Sequence, residues 1–283
     1  MTLRGIDPAT VTEDELDRID AMLTRAYRMP TRRARMQRFL DLQPDGWVVA
    51  EQDDQLVGTG GCIAYPDGGF GWIGLVATEP SFQGRGVGRL VTQHLVDRLA
   101  RHGCKSALDG SAMGAPVYER MGFADHGRTT ALVVPERALL AEAEPAAVEP
   151  LHDIDEIRDF DRERFGADRS RLLAHIARAF PGRARIARNR GRQMLGYALA
   201  QEDLIGPVVA DDTGVATALV SVASRLPWAT RPRLLVPPGS AHLDAMLAIG
   251  CTEERVLRHQ RLDLPMLPGR RESICAQTSF GEG

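Results

Sequence analysis

The sequence predicts an α/β (α+β) protein in two tandem domains, each a mixed, mostly antiparallel sheet flanked by helices. Three observations carry this. The 283 residues exceed the roughly 100–200 of one domain. Apolar residues recur at helical spacing in some stretches and at strand spacing in others. The element order of helices, a strand meander, then alternating helix and strand runs once before residue 135 and again, in outline, after residue 150.

The first run opens with a short strand at 3–6. Residues 12–27 place Leu16, Ile19, Met22, Leu23 and Tyr27 on one helical face behind Thr12, a suitable N-cap. A second helix covers 31–41, just after Pro30. Strands at 46–52 and 55–65 meet at Asp53-Asp54, a hairpin signal. An apolar strand at 70–78 stops before Pro80. Val87 to His102 reads as an amphipathic helix that Gly103 ends. A buried strand at 105–109, a short helix at 112–121 and closing strands at 123–134 complete the domain, bounded as 1–135. Residues 136–150, rich in Ala, Glu and Pro, form a linker. The second domain, 151–283, takes helices near 153–164 and 168–179 and strands near 184–189, 192–201 and 203–210. A helix at 212–224, a strand at 232–236, a helix at 240–249 and strands at 251–263 and 272–279 follow.

Hydrophobic residues make up 43% of the chain and charged residues 26%, enough apolar material for buried cores. Residues 1–135 hold 15 basic and 17 acidic side chains, and the remainder holds 20 and 21. Neither half has the basic excess of a nucleic-acid binder. Lys105 is the one lysine, an arginine bias that suits a GC-rich, bacterial source. Cys62, Cys104, Cys251 and Cys275 form no CxxC pair, and the N-terminus carries no signal peptide, so they are expected as reduced thiols of a cytoplasmic protein. No apolar run approaches the roughly 18 residues that span a bilayer. The histidines show no HxxxH or HExxH pattern, and no metal site is expected.

Chemistry concentrates in Gln83-Gly84-Arg85-Gly86-Val87-Gly88, between a strand and a helix. Its glycines let the backbone bend tightly and approach a ligand closely. The unpaired N–H groups of the helix's first turn and the helix dipole make an anion site suited to a pyrophosphate, and Arg85 adds a charge. A P-loop would need GK[ST], which is absent, and the Rossmann spacing GxGxxG differs from the GxGxG found here.

This loop resembles that of the GNAT superfamily of N-acetyltransferases, [QR]-x-x-G-x-[GA], through Gln83, Gly86 and Gly88. Thr78-Glu79-Pro80 matches the preceding strand end. Ala115-Pro116-Val117-Tyr118-Glu119-Arg120-Met121-Gly122-Phe123 matches the family's short helix with its tyrosine and Gly-Phe. The resemblance covers about residues 3–134. It implies a splayed GNAT-like sheet, with acetyl-CoA as co-substrate and no metal. The pantetheine arm would pair with the backbone of Val76, Ala77 and Thr78, and the pyrophosphate would sit on Gln83, Gly84, Arg85, Gly86, Val87 and Gly88. Tyr118 would be the general acid that protonates the departing thiolate; the plainer alternative is a core aromatic. Ser111 stands where the family often has an asparagine, and there it can cap the helix and bind a water.

A general base is less apparent. The central strand offers no carboxylate, and Asp109 is either a base or a hydrogen-bonded turn residue. Arg25, Arg28, Arg32, Arg33, Arg35 and Arg38 either recognise an anionic acceptor or form a solvated helix face. Residues 151–281 lack the loop. GADRSRLL, GYALAQ, IGPVVADD and AQTSFGEG resemble the degenerate GNAT-like second half of certain bacterial two-domain members. Ile205-Gly206-Pro207 there reads as a turn into a buried strand. That half would cover the acceptor site or mediate a homodimer.

The expected function is acetyl transfer to a primary amine of a small-molecule acceptor, with neither nucleic acid nor membrane as partner. The alternatives are a non-catalytic acyl-CoA-binding sensor and an enzyme for a longer acyl group, for which Gly71 and Gly74 would leave room.

Overall fold

The structure, a computed structural model, describes residues 1–136 and 147–283. The chain divides into two units. Met1–Asp125 with Gln260–Pro265 and Glu282 form the first; His126–His259 with Met266–Gly281 and Gly283 form the second. Of the expected linker, residues 137–146 lie outside the described residues, and Ala147–Pro150 form a strand. Among the described residues no helix is long and apolar enough to cross a membrane.

In the first unit the elements are β1 (Thr2–Gly5), α1 (Glu13–Tyr27), α2 (Arg33–Leu42), β2 (Trp47–Gln52), β3 (Gln55–Tyr65), β4 (Phe70–Thr78), α3 (Val87–Arg101), β5 (Lys105–Gly110) and α4 (Ala115–Glu119). The Thr12 hydroxyl accepts from Glu15 N–H at 3.2 Å and starts α1, and three acidic residues in its first turn complement the helix dipole. Leu16, Ile19, Met22 and Leu23 are buried along one stripe. Asp53 and Asp54 both take positive φ (51° and 60°), which turns β2 into β3; aspartate tolerates that region better than most residues. Strands β1 to β4 pair antiparallel in sequence order, and β5 joins β4 in parallel.

Side chains alternate across this sheet. Val48 and Ala50 of β2 join Val87, Val91, Leu95 and Leu99 of α3 in one apolar cluster. Trp47, on the opposite face of β2, meets Phe39 of α2 edge to face at 5.7 Å. Helix α3 lies so close that a Cβ on Gly58 would stand 2.4 Å from Val87 Cγ1.

The second unit contains most of β6 (Ala124–Val133), then β7 (Ala147–Pro150), α5 (Arg158–Phe165), α6 (Ser170–Ala179), β8 (Ala184–Arg188), β9 (Met194–Ala200), β10 (Ile205–Ala210) and α7 (Thr213–Ser224). They are followed by β11 (Arg233–Val236), α8 (Leu243–Ala248), β12 (Thr252–Leu262, its last three residues counted with the first unit) and β13 (Ile274–Ala276). Strands β7, β8, β9, β10 and β13 form an antiparallel sheet, and β6 pairs with β11. The apolar α7 packs Val215, Ala216, Leu219, Val220 and Ala223 into its core. Ile205-Gly206-Pro207 lies inside β10, not in a turn before it. A break in register between Ile205 and Val208 accommodates the proline, which has no N–H for the ladder.

Candidate active site

Strands β4 and β5 pair from Phe70–Lys105 to Ile73–Leu108, and there the ladder stops. Both strands continue, β4 to Thr78 and β5 to Gly110, so the sheet opens between them. A bulge in β4 accompanies the opening. Leu75 takes φ 54°, and the pairing with β3 shifts between Thr59–Ala77 and Gly61–Gly74. An extra residue in one strand bends it and raises its local twist.

Beyond Thr78 the chain makes a short turn at Pro80–Phe82 and enters the glycine loop. Gly84 and Gly86 take φ 76° and 85°, and a Cβ on either would meet nothing within 4 Å. Glycine is thus required by the backbone angle, and the space around it stays open. Gly86 is the N-cap of α3 and supplies no side-chain acceptor. The first-turn N–H groups therefore remain available to an anion. Gln83, Gly84, Arg85 and Gly86 are exposed and Val87 is buried; Arg85 lies 5.0 Å over the Phe82 ring. A Cβ on Gly88 would lie 3.5 Å from Thr78 Oγ1, so the end of β4 adjoins the start of α3. A pyrophosphate fits this donor set: open backbone N–H groups, a helix N-terminus and an exposed arginine. In the second unit, Asp212 caps α7 and accepts from Val215 N–H at 3.0 Å, while Arg164 pairs with the adjacent Asp211. A carboxylate occupies the start of α7 where α3 leaves its start open.

Tyr118 of α4 is 9% exposed, its ring against Gly110 and Gly114. Burial pushes its phenol, hydrogen-bonded to the Thr92 hydroxyl, up to about 12. The hydroxyl therefore holds its proton throughout the neutral range. Thr92 in turn donates to the Gly88 carbonyl at 2.8 Å, linking Tyr118 to the first turn of α3. Ser111 Oγ accepts from Gly114 N–H at 3.2 Å and its carbonyl from Ala115 N–H at 2.8 Å, fastening the start of α4. Asp109 is half-buried at the end of β5.

The arginine group divides. Arg25 pairs with Glu79 at 2.9 Å, and Arg33 with Glu13 and Asp17. Arg38 is buried against Glu282 of the same unit at 3.2 Å. A solvated helix face does not describe Arg38, because α2 turns it inward. The room ascribed to Gly71 is also taken: a Cβ there would stand 2.3 Å from Leu99 Cδ2. All four cysteines are buried free thiols, and burial pushes Cys62 and Cys251 up to about 12, which excludes a ready thiolate nucleophile at those two.

Two residues join this site that the sequence did not assign to it. Tyr27, the last residue of α1, donates its hydroxyl to the Val76 carbonyl at 2.8 Å. Gln260, fully buried in the first unit, donates from Nε2 to the Ala115 carbonyl at 3.2 Å, and its Oε1 occupies the space beside Gly110.

Comparison with known proteins bears on both units. Residues 16–123 match the acetyltransferase (GNAT) family, and residues 157–250 match a second acetyltransferase (GNAT) domain. Over 88 residues the chain is 32% identical to mycothiol acetyltransferase of Streptomyces avermitilis, a match spanning 29% of this chain and 28% of that one. A putative acetyltransferase from Pyrococcus horikoshii shares the fold with a TM-score of 0.84 at 24% identity, covering 100% of this chain and 95% of its own. A GCN5-related N-acetyltransferase from Sphaerobacter thermophilus superposes with a TM-score of 0.68 at 15% identity, over 95% and 96% of the two chains.

Proposed function

The chain belongs to the GNAT family of acetyltransferases, and from that premise we propose that its first unit moves an acetyl group from acetyl-CoA to the primary amine of a small-molecule acceptor. One observation carries the reading. The β4–β5 ladder parts at Ile73 and Leu108, on the strand that runs into the uncapped, glycine-bounded start of α3. An extended arm ending in a pyrophosphate matches that succession of open strand edge and anion site.

Acetyl-CoA supplies the acetyl group already activated as a thioester. The residues of the chain do the rest. The N–H groups at the start of α3, with Gln83 and Arg85, hold the pyrophosphate. The backbone of Val76, Ala77 and Thr78 pairs with the arm as a further strand would. As the amine–acetyl bond forms and the C–S bond breaks, Tyr118 donates its hydroxyl proton toward the departing sulfur, and the proton the amine gives up restores the tyrosine, leaving free thiol and amide. Its high phenol value keeps that proton in place at neutral pH. The relative named for mycothiol supports a small molecule as acceptor. The Asp212-capped α7 argues that the second unit serves another purpose than holding the coenzyme.

The test is thiol release from acetyl-CoA across a panel of amines, wild type beside Tyr118→Phe. The reading predicts release with one amine class and a kcat loss of roughly 10²–10⁴ in the variant, with acetyl-CoA affinity held within about threefold. Binding without release on any amine favours the acyl-CoA sensor. Full turnover by Tyr118→Phe removes the tyrosine from the reaction.

A further inference from the structure

Leu75 sits at φ 54°, a region sparsely populated for a branched residue. Such a conformation persists only where its surroundings over-determine it. The next residue shows what does so. Glu79 donates its N–H to Val57 of β3 at 2.9 Å. By the alternation of an antiparallel ladder, residues 77 and 79 face β3, and 76 and 78 face the edge that β5 has left. The Val76 carbonyl, which with Leu75 stands opposite Gly60 in the bulge, therefore belongs to the open edge. It accepts there from the Tyr27 hydroxyl, at 2.8 Å, on the last residue of α1. Arg25, two residues earlier, grips Glu79 at 2.9 Å. The last turn of α1 thus braces β4 at both ends of the segment 76–78.

We propose that Tyr27 is the positioning residue for the coenzyme-binding edge of β4, holding the Leu75 bulge so that the backbone of Val76–Thr78 presents its hydrogen-bonding groups to the pantetheine arm. This rests on the acetyl-CoA reading above. A carbonyl oxygen has two lone pairs, so the Tyr27 bond leaves the second for a ligand N–H. The Tyr27 hydroxyl bonds at Val76, on the edge assigned to the arm. Its influence is local to the arm and separable from the rest of the coenzyme.

The experiment compares wild type and Tyr27→Phe by calorimetry with two ligands: CoA, and 3′,5′-ADP, which lacks the arm. The variant keeps the ring and removes only the hydroxyl. CoA is expected to bind about three- to tenfold more weakly, the size of one lost neutral hydrogen bond. The affinity for 3′,5′-ADP is expected to stay the same. A merely structural role would move both ligands together or neither, and either result overturns the inference. If the wild type binds CoA normally and Tyr27→Phe shows no selective loss, this inference alone fails. If the wild type binds neither ligand, the acetyl-CoA reading fails and takes this one with it.

Discussion

Gly86 separates backbone strain from charge at the anion site. In Gly86→Ala the new Cβ meets nothing within 4 Å, so there is no clash, and the cost is that of an L residue at φ 85°, about 1–2 kcal/mol. That strain is present with and without ligand, so it cancels from the binding equilibrium. Gly86→Glu bears the same strain and adds a carboxylate at the start of α3, where helix N–H groups would otherwise meet phosphate. Two unit charges about 4 Å apart interact by about 4 kcal/mol at an effective dielectric of about 20. With screening and side-chain retreat, at least half of that should survive, a loss of about 30-fold or more in affinity. Calorimetric titration with acetyl-CoA should therefore show Gly86→Ala within about threefold of wild type and Gly86→Glu weakened at least about 30-fold. Thermal unfolding should show both variants destabilised, the glutamate less so because the dipole favours it. Equal weakening in the two variants, or none in either, would refute the assignment of this helix start to an anion.

Gly71→Ala should destabilise the first unit by about 1–3 kcal/mol, since its Cβ would press into Leu99 at 2.3 Å. Adding Leu99→Ala should recover part of that loss relative to the sum of the single changes, read from denaturant midpoints; strict additivity would show that the contact is not the cause. Burial raises the Asp45 carboxyl, but hydrogen bonds from Gln43, Arg98 and His102 outweigh it and hold the group at about 2 against its ordinary 3.8. Folding thus favours the ionised form: this contribution is whole above the unfolded value and is lost as pH falls through about 2. Urea midpoints of Asp45→Asn should accordingly vary less between pH 4 and 2 than those of wild type, and parallel curves would contradict the assignment.

The legible parts of this molecule were those whose cause is local. The β4 bounds, 70–78, follow from an apolar run closed by Pro80, and α1 from Thr12 and a stripe repeating every three to four residues. The loop residues and Tyr118 could be named because glycines at fixed spacing and a short helix with Gly-Phe lie within one stretch of chain. The hydrogen bonds around them join distant positions. Tyr27 and Val76 are 49 residues apart, Gln260 and Ala115 145, and Arg38 and Glu282 244. No periodicity encodes such pairs; they exist only once the sheet has brought the strands together. The same holds for Gly71: along the chain its lack of a side chain reads as room for an acyl group, and the fold fills that room with Leu99 of α3. Helix α4 is shorter than expected because its first residues are held by Ser111 in a turn, and the closing strands merge into the one strand β6.

The most direct test of the central claim is amide hydrogen exchange with and without saturating acetyl-CoA. Bound acetyl-CoA is expected to protect Val76 and Thr78 and the loop and first turn of α3, residues 84–90, and to leave the Asp212-capped start of α7 unchanged. Unchanged exchange at 76–78 and 84–90 in the presence of bound ligand, or protection at 212–216 instead, would contradict that claim.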